Sequence, residues 1–305
     1  MSQTNQLHVT VMLGGPSAER EVSLQSGAAA VKALRSLGHV VSELDPVTPH
    51  WKLPEPTDVV FLALHGSYGE DGTVQQQLED LGVPYTGCGV EASRIAFDKV
   101  KTKERCLAAG IPTARYAVFH SAAAAFPSGW QPPVVLKPVR QGSSVGLQMV
   151  DDAKDFPRAL AEAMRFDSEV LMEERIIGRE TTVGILDGKA LPVAEICVKQ
   201  GPFDYKSKYT PGAATHVCPA HFDAAATARI QEAALGAFRA VGGRDYGRVD
   251  VMVRGQGDPV VLEVNTLPGM TALSILPEAA AAAGLSYAAL CQRMIDMAMK
   301  RSRRP

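Results

Sequence analysis

Three oxygen-bearing side chains stand in two apolar segments near the C-terminal end of the sequence. Asp250 lies in the first segment, and Glu263 and Asn265 lie in the next, separated by one residue so that their side chains share a face of a strand. Carboxylate and amide oxygens are the ligands that a hard cation such as Mg²⁺ prefers, often completed by substrate phosphates. Because a buried carboxylate is costly without a compensating charge, the pattern predicts a divalent-cation site. The alternative is a pair of surface charges on edge strands.

A second candidate site lies in the stretch LKPVRQGSSVG, residues 136–146. Lys137 follows the apolar run 134–136, and residues 142–146 supply two glycines and two serines that can expose backbone N–H groups. A lysine and such a loop can bind phosphate. The alternative is an ordinary glycine-rich hairpin. The order of residues is neither that of a P-loop nor, at Gly14 and Gly15, that of a dinucleotide-binding turn.

The composition limits which partners these sites could serve. The chain has 305 residues, is 46% hydrophobic and carries a formal net charge of −2, which predicts two or three globular domains and no nucleic-acid or membrane-surface partner. Its 5 cysteines are odd in number and never form a C-x-x-C pair, which argues against a disulfide framework and a structural zinc site. The first residues, MSQTNQ, have neither the basic nor the apolar region of a signal peptide, so none is expected, and no uncharged apolar run approaches the roughly 18 residues that a membrane span needs. A cytoplasmic protein is expected.

The elements that must position these residues begin with a parallel α/β pattern. Strands are predicted at residues 7–13 and 58–64, and helices at 22–37 and 74–81. Glu21, at the N-terminal end of the first helix, is interpreted as a charge that the helix dipole favours. The run 58–64 is almost wholly apolar, as expected of a strand covered on both faces. The first ninety or so residues therefore predict a parallel sheet with ligand loops at its carboxyl edge.

The rest of the chain predicts a mixed α+β arrangement. Helices are expected at 98–109 and 224–241, with a closing helical pair, and strands at 134–136, 170–173, 182–186, 247–253 and 259–264. The alanine-rich patch 122–125 is expected to be an exposed turn or loop. Residues 201–218 are too rich in glycine, proline, lysine and tyrosine for either element, and a loop of that length is usually functional or disordered.

Seven motifs occur in an order and spacing that resemble the ATP-grasp superfamily and, more narrowly, the D-alanine–D-alanine ligase family. They are LGGPSAEREVSLQSG, LHGSYGEDGT, DKVKTK, LKPVRQGSSVG, DYKSKYTPG, GRVDVM and LEVNTLPGM. The resemblance implies an ATP-grasp fold with an N-terminal parallel, Rossmann-like α/β domain. It implies a substrate-binding domain at residues 1–95, a central ATP-grasp subdomain at 96–178, and a C-terminal subdomain at 179–305 with the metal site and a lid loop.

The same resemblance implies a reaction and its residues: two D-alanines and ATP give D-alanyl-D-alanine, ADP and phosphate through a D-alanyl phosphate, for peptidoglycan precursors. Two Mg²⁺ ions, with Mn²⁺ as a substitute, would be held by Asp250, Glu263 and Asn265. The implied ATP-binding residues are Lys99, Lys137, Ser144, Glu173, Ile176 and Glu180. The implied catalytic residues are Glu19, Ser143, Tyr209, Arg248 and Ser274. His65, Lys208 and Gly269 would contact the substrates, and the enzyme would be a homodimer.

Several of these residues also have a plain structural interpretation. Glu180 would then be a solvated strand charge, His65 a hydrogen-bonded structural residue, and Arg248 a salt-bridge partner of Asp250, which does not exclude a catalytic role. Lys101 and Lys103 would be a solvated helix face.

Three other functions compete with D-alanyl-D-alanine synthesis. One is another ATP-grasp carboxylate-amine ligase, and a second is a ligase that joins D-alanine to D-lactate. Tyr209 argues against the second, because the lactate-type enzymes of the family lack this lid tyrosine. The third is a nucleotide-binding regulatory module without turnover, which would require a broken site, whereas all the matched polar positions are intact.

Overall fold

The N-terminal part of the chain forms a three-stranded parallel sheet. The computed structural model describes residues 6–48, 50–198 and 214–302. The strands are β1 (His8–Met12), β2 (Val40–Leu44) and β3 (Val59–Leu62), in the order β2-β1-β3. The helices of this part are α1 (Arg20–Ser36), α2 (Thr73–Asp80) and α3 (Val90–Phe97). The predicted parallel sheet is confirmed, and Glu21 lies in the first turn of α1.

A four-stranded antiparallel sheet follows. Helix α4 (Lys99–Ala108) precedes strands β4 (Tyr116–Phe119), β5 (Val134–Pro138), β6 (Gln148–Val150) and β7 (Val170–Glu174), which lie in the order β4-β7-β5-β6. A 3₁₀ turn (Ala153–Asp155) leads into helix α5 (Phe156–Ala163), which buries Phe156 and Leu160 in one cluster with Val134 and Met172. The alanine-rich residues 122 and 123 form a turn, as predicted.

A five-stranded antiparallel sheet forms the C-terminal part. Its strands are β8 (Arg179–Leu186), β9 (Lys189–Val198), β10 (Ala214–Val217), β11 (Tyr246–Arg254) and β12 (Asp258–Asn265), in the order β10-β9-β8-β11-β12. Helix α6 (Ala224–Ala240) covers one face through Ile230 and Phe238. Helices α7 (Ile275–Ala282) and α8 (Tyr287–Ser302) close the chain.

A bulge in the β11–β12 pair decides which residues of β12 face which side. The register runs Asp250↔Glu263 and then Val251↔Val261, so Leu262 is the extra residue. Val261 and Val264, three positions apart, are both buried in the α6 core, although regular alternation would put them on opposite faces. Leu262 and Glu263 consequently both line the cleft on the other face.

The last helix returns to the first sheet. Leu290, Met294 and Ile295 of α8 are fully buried in one cluster with Val11 of β1 and Phe61 of β3. The N-terminal sheet is therefore closed by a segment more than two hundred residues later in the chain. The division of the chain at residues 95 and 178 stays a prediction.

Two bulk features complete the description. The 5 cysteines, all within the described ranges, are free thiols. Within residues 6–48, 50–198 and 214–302, no helix has the length and apolar character needed to cross a membrane.

Gly27 tests the close packing of α1 on Leu13, the residue that follows β1. A Cβ atom at Gly27 would lie 2.3 Å from the Cβ of Leu13, an atom that cannot move without the backbone. We expect Gly27→Ala to lower the free energy of unfolding by about 1–3 kcal/mol, as overpacking does, although alanine favours helices over glycine.

The matched control is Gly236→Ala in α6. Its added Cβ would meet Cδ1 of Ile111 at 2.5 Å, and this atom ends a flexible side chain that can turn away. We expect the free energy of unfolding to change by less than about 1 kcal/mol, because the gain in helix propensity offsets the cost of moving that side chain. Urea denaturation measures both variants, and equal losses would contradict the packing argument.

Candidate active site

A cleft of about 530 Å³ lies between the four-stranded and five-stranded sheets. Its walls come from β5 and β7 on one side and from β8, β9, β11 and β12 on the other. Eight of the residues predicted from the sequence line it: Lys99, Lys137, Ser144, Glu173, Ile176, Glu180, Asp250 and Glu263. Residues spread over more than one hundred and sixty positions of sequence are thus brought together.

Lys99 enters the cleft from the start of helix α4. The side chain of Asp98 caps this helix by accepting hydrogen bonds from the backbone N–H groups of Val100 and Lys101. The Nζ of Lys99 donates to the carbonyl oxygen of Gln141 at 2.5 Å and lies 3.9 Å from Oε2 of Glu263. The lysine therefore connects the loop after β5 with strand β12.

Glu173 is buried in the wall of the cleft between two lysines. Only 2% of its side chain is exposed, and its carboxylate oxygens pair with Lys103 on one side and Lys137 on the other. Burial alone would raise the pKa of Glu173, but the attraction of the two lysines outweighs it and holds that pKa below its ordinary value. Burial likewise opposes the charge on Lys137, yet its neighbouring carboxylates raise its pKa.

Lys103 was expected on a solvated helix face, and that expectation is wrong. Its side chain is 1% exposed, and its Nζ donates to Oγ1 of Thr113 at 2.7 Å and to the carbonyl oxygen of Ala114 at 3.0 Å besides pairing with Glu173. Burial lowers the pKa of Lys103, and Glu173 offsets this only in part. Its spacing from Lys99 is the available signal, because residues four apart share a helix face. Lys101, which is 57% exposed, does lie in solvent.

The loop between β5 and β6 has the predicted hairpin position, since these strands pair antiparallel. Ser143 and Ser144 adopt φ angles of 51° and 59°, the left-handed region that non-glycine residues rarely occupy. Two turn bonds close the loop, from Val145 N–H to Gly142 and from Leu147 N–H to Ser144. Strain of this kind recurs at ligand-binding turns.

A second, smaller cavity of about 140 Å³ adjoins the cleft. Gln141 and Val145 line both spaces, so the loop after β5 is a shared wall. Glu19, at the start of α1, lines the small cavity and accepts a hydrogen bond from Oγ of Ser143. The two predicted residues Glu19 and Ser143 are therefore in direct contact, although Glu19 lies in a connection of the N-terminal sheet and Ser143 in a connection of the four-stranded sheet.

The predicted cation ligands lie on the adjoining strands β11 and β12. Asp250 is paired in register with Glu263, and Arg248 with Asn265, so all four side chains belong to one face. Arg248 donates to both carboxylate oxygens of Asp250, at 2.8 and 2.9 Å, and Thr182 donates to the same carboxylate at 2.6 Å. The expected salt bridge is confirmed. Burial opposes the charge of Arg248, but Asp250 and Glu263 outweigh it and raise its pKa.

The donor set is compatible with a divalent cation. No cluster of three or more His, Cys, Asp or Glu side chains suited to a metal occurs among the described residues. The candidate set has two carboxylates, and its third donor is an amide. Each carboxylate oxygen has two lone pairs, so Asp250 retains acceptor capacity beside its bonds to Arg248 and Thr182. Oxygen donors of this kind suit Mg²⁺ or Mn²⁺.

Three of the remaining predicted residues, His65, Gly269 and Ser274, lie around the loop after β12. His65 follows β3 by three residues and is 5% exposed. It contacts Ser26 through Nε2 and the carbonyl oxygen of Leu267 through Nδ1, both at 3.0 Å. A Cβ atom at Gly269 would lie 2.7 Å from Oγ of Ser274, which places these two residues side by side. Lys208 and Tyr209 lie outside the described residues.

Two family models match the chain. The D-Ala–D-Ala ligase N-terminus matches residues 45–88, and the D-Ala–D-Ala ligase C-terminus matches residues 106–296. The second match covers more than half of the chain.

Similar proteins include the D-alanine–D-alanine ligase of Methylacidiphilum infernorum (isolate V4), 44% identical over 294 residues, with 96% of each chain covered. That of Gloeobacter violaceus is 45% identical over 302 residues, covering 96% of this chain and 100% of the relative. The crystal structure of D-alanine–D-alanine ligase from Bacillus anthracis complexed with ATP superposes with a TM-score of 0.84 at 31% identity, covering 97% of this chain and 99% of that one.

Lys103 generates a stability prediction. Lys103→Met keeps an unbranched side chain of similar length but leaves Glu173 with one lysine instead of two. Removing one partner of a buried ion pair costs on the order of 3 kcal/mol, and we expect a loss of that size in urea denaturation. The control Lys101→Met changes an exposed lysine of the same helix, where we expect a change within about 0.5 kcal/mol.

Acid unfolding gives a second readout on the same pair of variants. Because the pKa of Glu173 is lower in the folded protein than in the unfolded chain, its ionisation stabilises the fold above its ordinary pKa. That stabilisation is lost as the pH falls through the lowered value. Removing Lys103 raises the pKa of Glu173 in the fold, so the variant should begin to unfold at a higher pH than Lys101→Met. If Lys103→Met and Lys101→Met unfolded at the same pH, the assignment of Lys103 as a charge partner of Glu173 would be contradicted.

Proposed function

The chain belongs to the D-alanine–D-alanine ligase family, and we propose that it joins two D-alanines to D-alanyl-D-alanine at the expense of ATP. Its fold is the ATP-grasp fold with an N-terminal parallel α/β domain. The products would be the dipeptide, ADP and phosphate. The observation that carries the proposal is the wall of Gln141 and Val145 shared by the large cleft and the small cavity. A nucleotide in the first space and an amino acid in the second would meet there.

ATP would lie in the cleft with its phosphates toward Lys99 and Lys137. Both ammonium groups reach the cleft, and Ser144 lies in the loop that can close over the phosphates. We assign the adenine end to Glu173 and the backbone near Ile176, and the ribose to Glu180, all of which line the same cleft. Glu173 would keep its negative charge there because Lys103 and Lys137 hold it.

Asp250, Glu263 and Asn265 would hold two Mg²⁺ ions, or Mn²⁺ in their place. The support is their common face on β11 and β12 and their all-oxygen donor set. Bound there, the cations would neutralise the triphosphate so that an anionic carboxylate can approach it. Arg248 would then share Asp250 with the cations rather than neutralise it alone.

The first D-alanine would bind in the small cavity, its ammonium group paired with Glu19 and His65 nearby. Its carboxylate oxygen attacks the γ-phosphorus, the bond to ADP breaks, and D-alanyl phosphate forms. The amine of the second D-alanine attacks the carbonyl carbon, and phosphate leaves with its oxygen as the amine loses a proton. Arg248 and the N–H of Gly269 would hold the oxyanion of the tetrahedral intermediate, where one donor is worth roughly 3 kcal/mol.

Three further residues would bind the second substrate and the γ-phosphate and close the site. Ser274 would bind the carboxylate of the second D-alanine, Lys208 the γ-phosphate, and Tyr209 would reach Ser143 and Glu19 to close a lid that excludes water. We further propose a cytoplasmic homodimer that supplies peptidoglycan precursors. The proposed domains are residues 1–95, 96–178 and 179–305.

The experiment that tests the function is an ADP-release assay with a panel of nucleophiles and acids. The protein is incubated with ATP and Mg²⁺ and with D-alanine, L-alanine, other D-amino acids or D-alanine plus D-lactate, and the products are identified by mass. D-alanine should give ADP and D-alanyl-D-alanine in equal amounts. A mixed ester as the main product would favour a D-alanine–D-lactate ligase, and nucleotide binding without ADP release would favour a regulatory module.

Glu263→Gln tests the cation site. The substitution keeps the shape of the side chain but removes a negative charge from the set on β11 and β12, so we expect turnover to fall below detection while the thermal midpoint stays near wild type. Asp258→Asn, on the exposed first residue of the same strand, is the control and should retain activity. Near-normal turnover of Glu263→Gln at saturating Mg²⁺ would overturn the assignment.

A further inference from the structure

The loop that follows β12 is held at each end by its neighbours. We define it as the 267–270 loop, Leu267–Pro268–Gly269–Met270. Its first N–H, on Leu267, donates to Oδ1 of Asn265 at 3.0 Å, and its last carbonyl, on Met270, accepts from the hydroxyl of Tyr287 at 2.8 Å. Leu267 and Met270 are each 2% exposed. The loop is therefore packed on both sides.

Helix α1 reaches this loop through Ser26, which is fully buried. The N–H of Met270 donates to Oγ of Ser26 at 3.2 Å, and the same oxygen lies 3.0 Å from Nε2 of His65. Nδ1 of His65 lies 3.0 Å from the carbonyl oxygen of Leu267. Ser26 and His65, which both lie in connections of the N-terminal sheet, therefore bind the two ends of a loop that belongs to the five-stranded sheet.

The direction of two of these hydrogen bonds follows from what each partner can do. The carbonyl oxygen of Leu267 only accepts, so Nδ1 of His65 donates to it, and the N–H of Met270 only donates, so Oγ of Ser26 accepts from it. The third bond joins Oγ of Ser26 to Nε2 of His65. Ser26 therefore binds the loop directly through Met270 and also contacts the histidine that binds its other end.

Helix α1 places Ser26 in a fixed relation to Glu19. Glu19, Ser23 and Ser26 follow one another at spacings of four and three residues, so they share one face of the helix. Glu19 contacts Ser143, Ser23 contacts Gly14 and Ala63, and Ser26 contacts His65 and Met270. Seven residues of helix correspond to a rise of about 10 Å. The helix sets the separation between the small cavity and the 267–270 loop.

We propose that Ser26 is a positioning residue for the second half of the reaction: through its bonds to Met270 and His65 it holds the 267–270 loop so that the N–H of Gly269 faces the reacting carbonyl. The proposal rests on the function proposed above. Gly269 packs so closely on Ser274 that a shift of the loop moves both residues. A loose loop would impair attack by the second D-alanine more than formation of the acyl phosphate, which depends on the lysines and on Glu19.

The test compares Ser26→Ala with Ser23→Ala. Ser23 is the matched control, because it is a fully buried serine of the same helix, one turn away, and it also makes two hydrogen bonds. It accepts from the N–H of Gly14 at 2.8 Å and donates to the carbonyl oxygen of Ala63 at 2.8 Å. Its partners lie within the N-terminal sheet and its loops, not in the 267–270 loop. Both variants should lose similar amounts of thermal stability.

ADP and D-alanyl-D-alanine are measured separately for wild type and both variants. For Ser26→Ala we expect dipeptide formation to fall on the order of 10- to 100-fold, as for a displaced catalytic group, with the KM for ATP unchanged. ADP should exceed dipeptide, because acyl phosphate that is not attacked in time hydrolyses. Ser23→Ala should keep ADP and dipeptide equal.

The outcomes separate this inference from the proposed function. Equal ADP and dipeptide in Ser26→Ala, with a rate like that of Ser23→Ala, would make Ser26 a packing residue only and overturn the inference. A wild-type protein that forms no dipeptide would instead overturn the proposed function. If Ser26→Ala does not fold, Ser26→Cys is measured instead. A thiol nearly keeps the volume of the side chain but forms weak hydrogen bonds. The excess of ADP over dipeptide should then lie between that of wild type and that expected for Ser26→Ala.

Discussion

The rest of the site depends on one buried carboxylate. Glu173 is enclosed in the wall of the cleft, where an isolated negative charge would cost several kcal/mol, and two lysines compensate it. Lys103 comes from α4 and Lys137 from β5, so the ion cluster ties that helix to the four-stranded sheet. The N-terminus of the same helix carries Lys99 into the cleft. Glu173 thereby fixes Lys103 and Lys137, and the helix that Lys103 ties to the sheet also supplies Lys99. Of these three lysines, Lys99 and Lys137 line the cleft in which a triphosphate would bind.

The opposite wall follows from sheet geometry. The bulge in β12 turns Leu262 and Glu263 to the same face and aligns Glu263 with Asp250. Arg248 occupies the same face and donates to the two carboxylate oxygens of Asp250 through Nε and Nη2 of its guanidinium group. The cleft therefore has Lys99 and Lys137 on one side and the carboxylates of Asp250 and Glu263 on the other, the charged groups that a cation-bound polyphosphate would need.

Much of this could be predicted from the sequence, because Lys137 with its glycine-serine loop and the spacing of Glu263 and Asn265 are local signals. What could not be predicted depends on contacts between distant segments. The spacing of four residues places Lys103 on the helix face of Lys99, but it does not show that Lys103 is buried, since that depends on contacts with Glu173 and Thr113. The run of apolar residues 259–262 contains no sign of the bulge. The bond of His65 to Leu267 joins positions 202 residues apart.

The most direct test of the account follows oxygen atoms. The protein is given ATP, Mg²⁺ and D-alanine labelled with ¹⁸O in both carboxylate oxygens, and the inorganic phosphate and dipeptide are analysed by mass spectrometry. If the carboxylate of the first D-alanine attacks the γ-phosphorus, each phosphate released with a dipeptide carries one ¹⁸O, and the new peptide carbonyl keeps the other. Dipeptide formed together with unlabelled phosphate would contradict an acyl phosphate and the mechanism built on it.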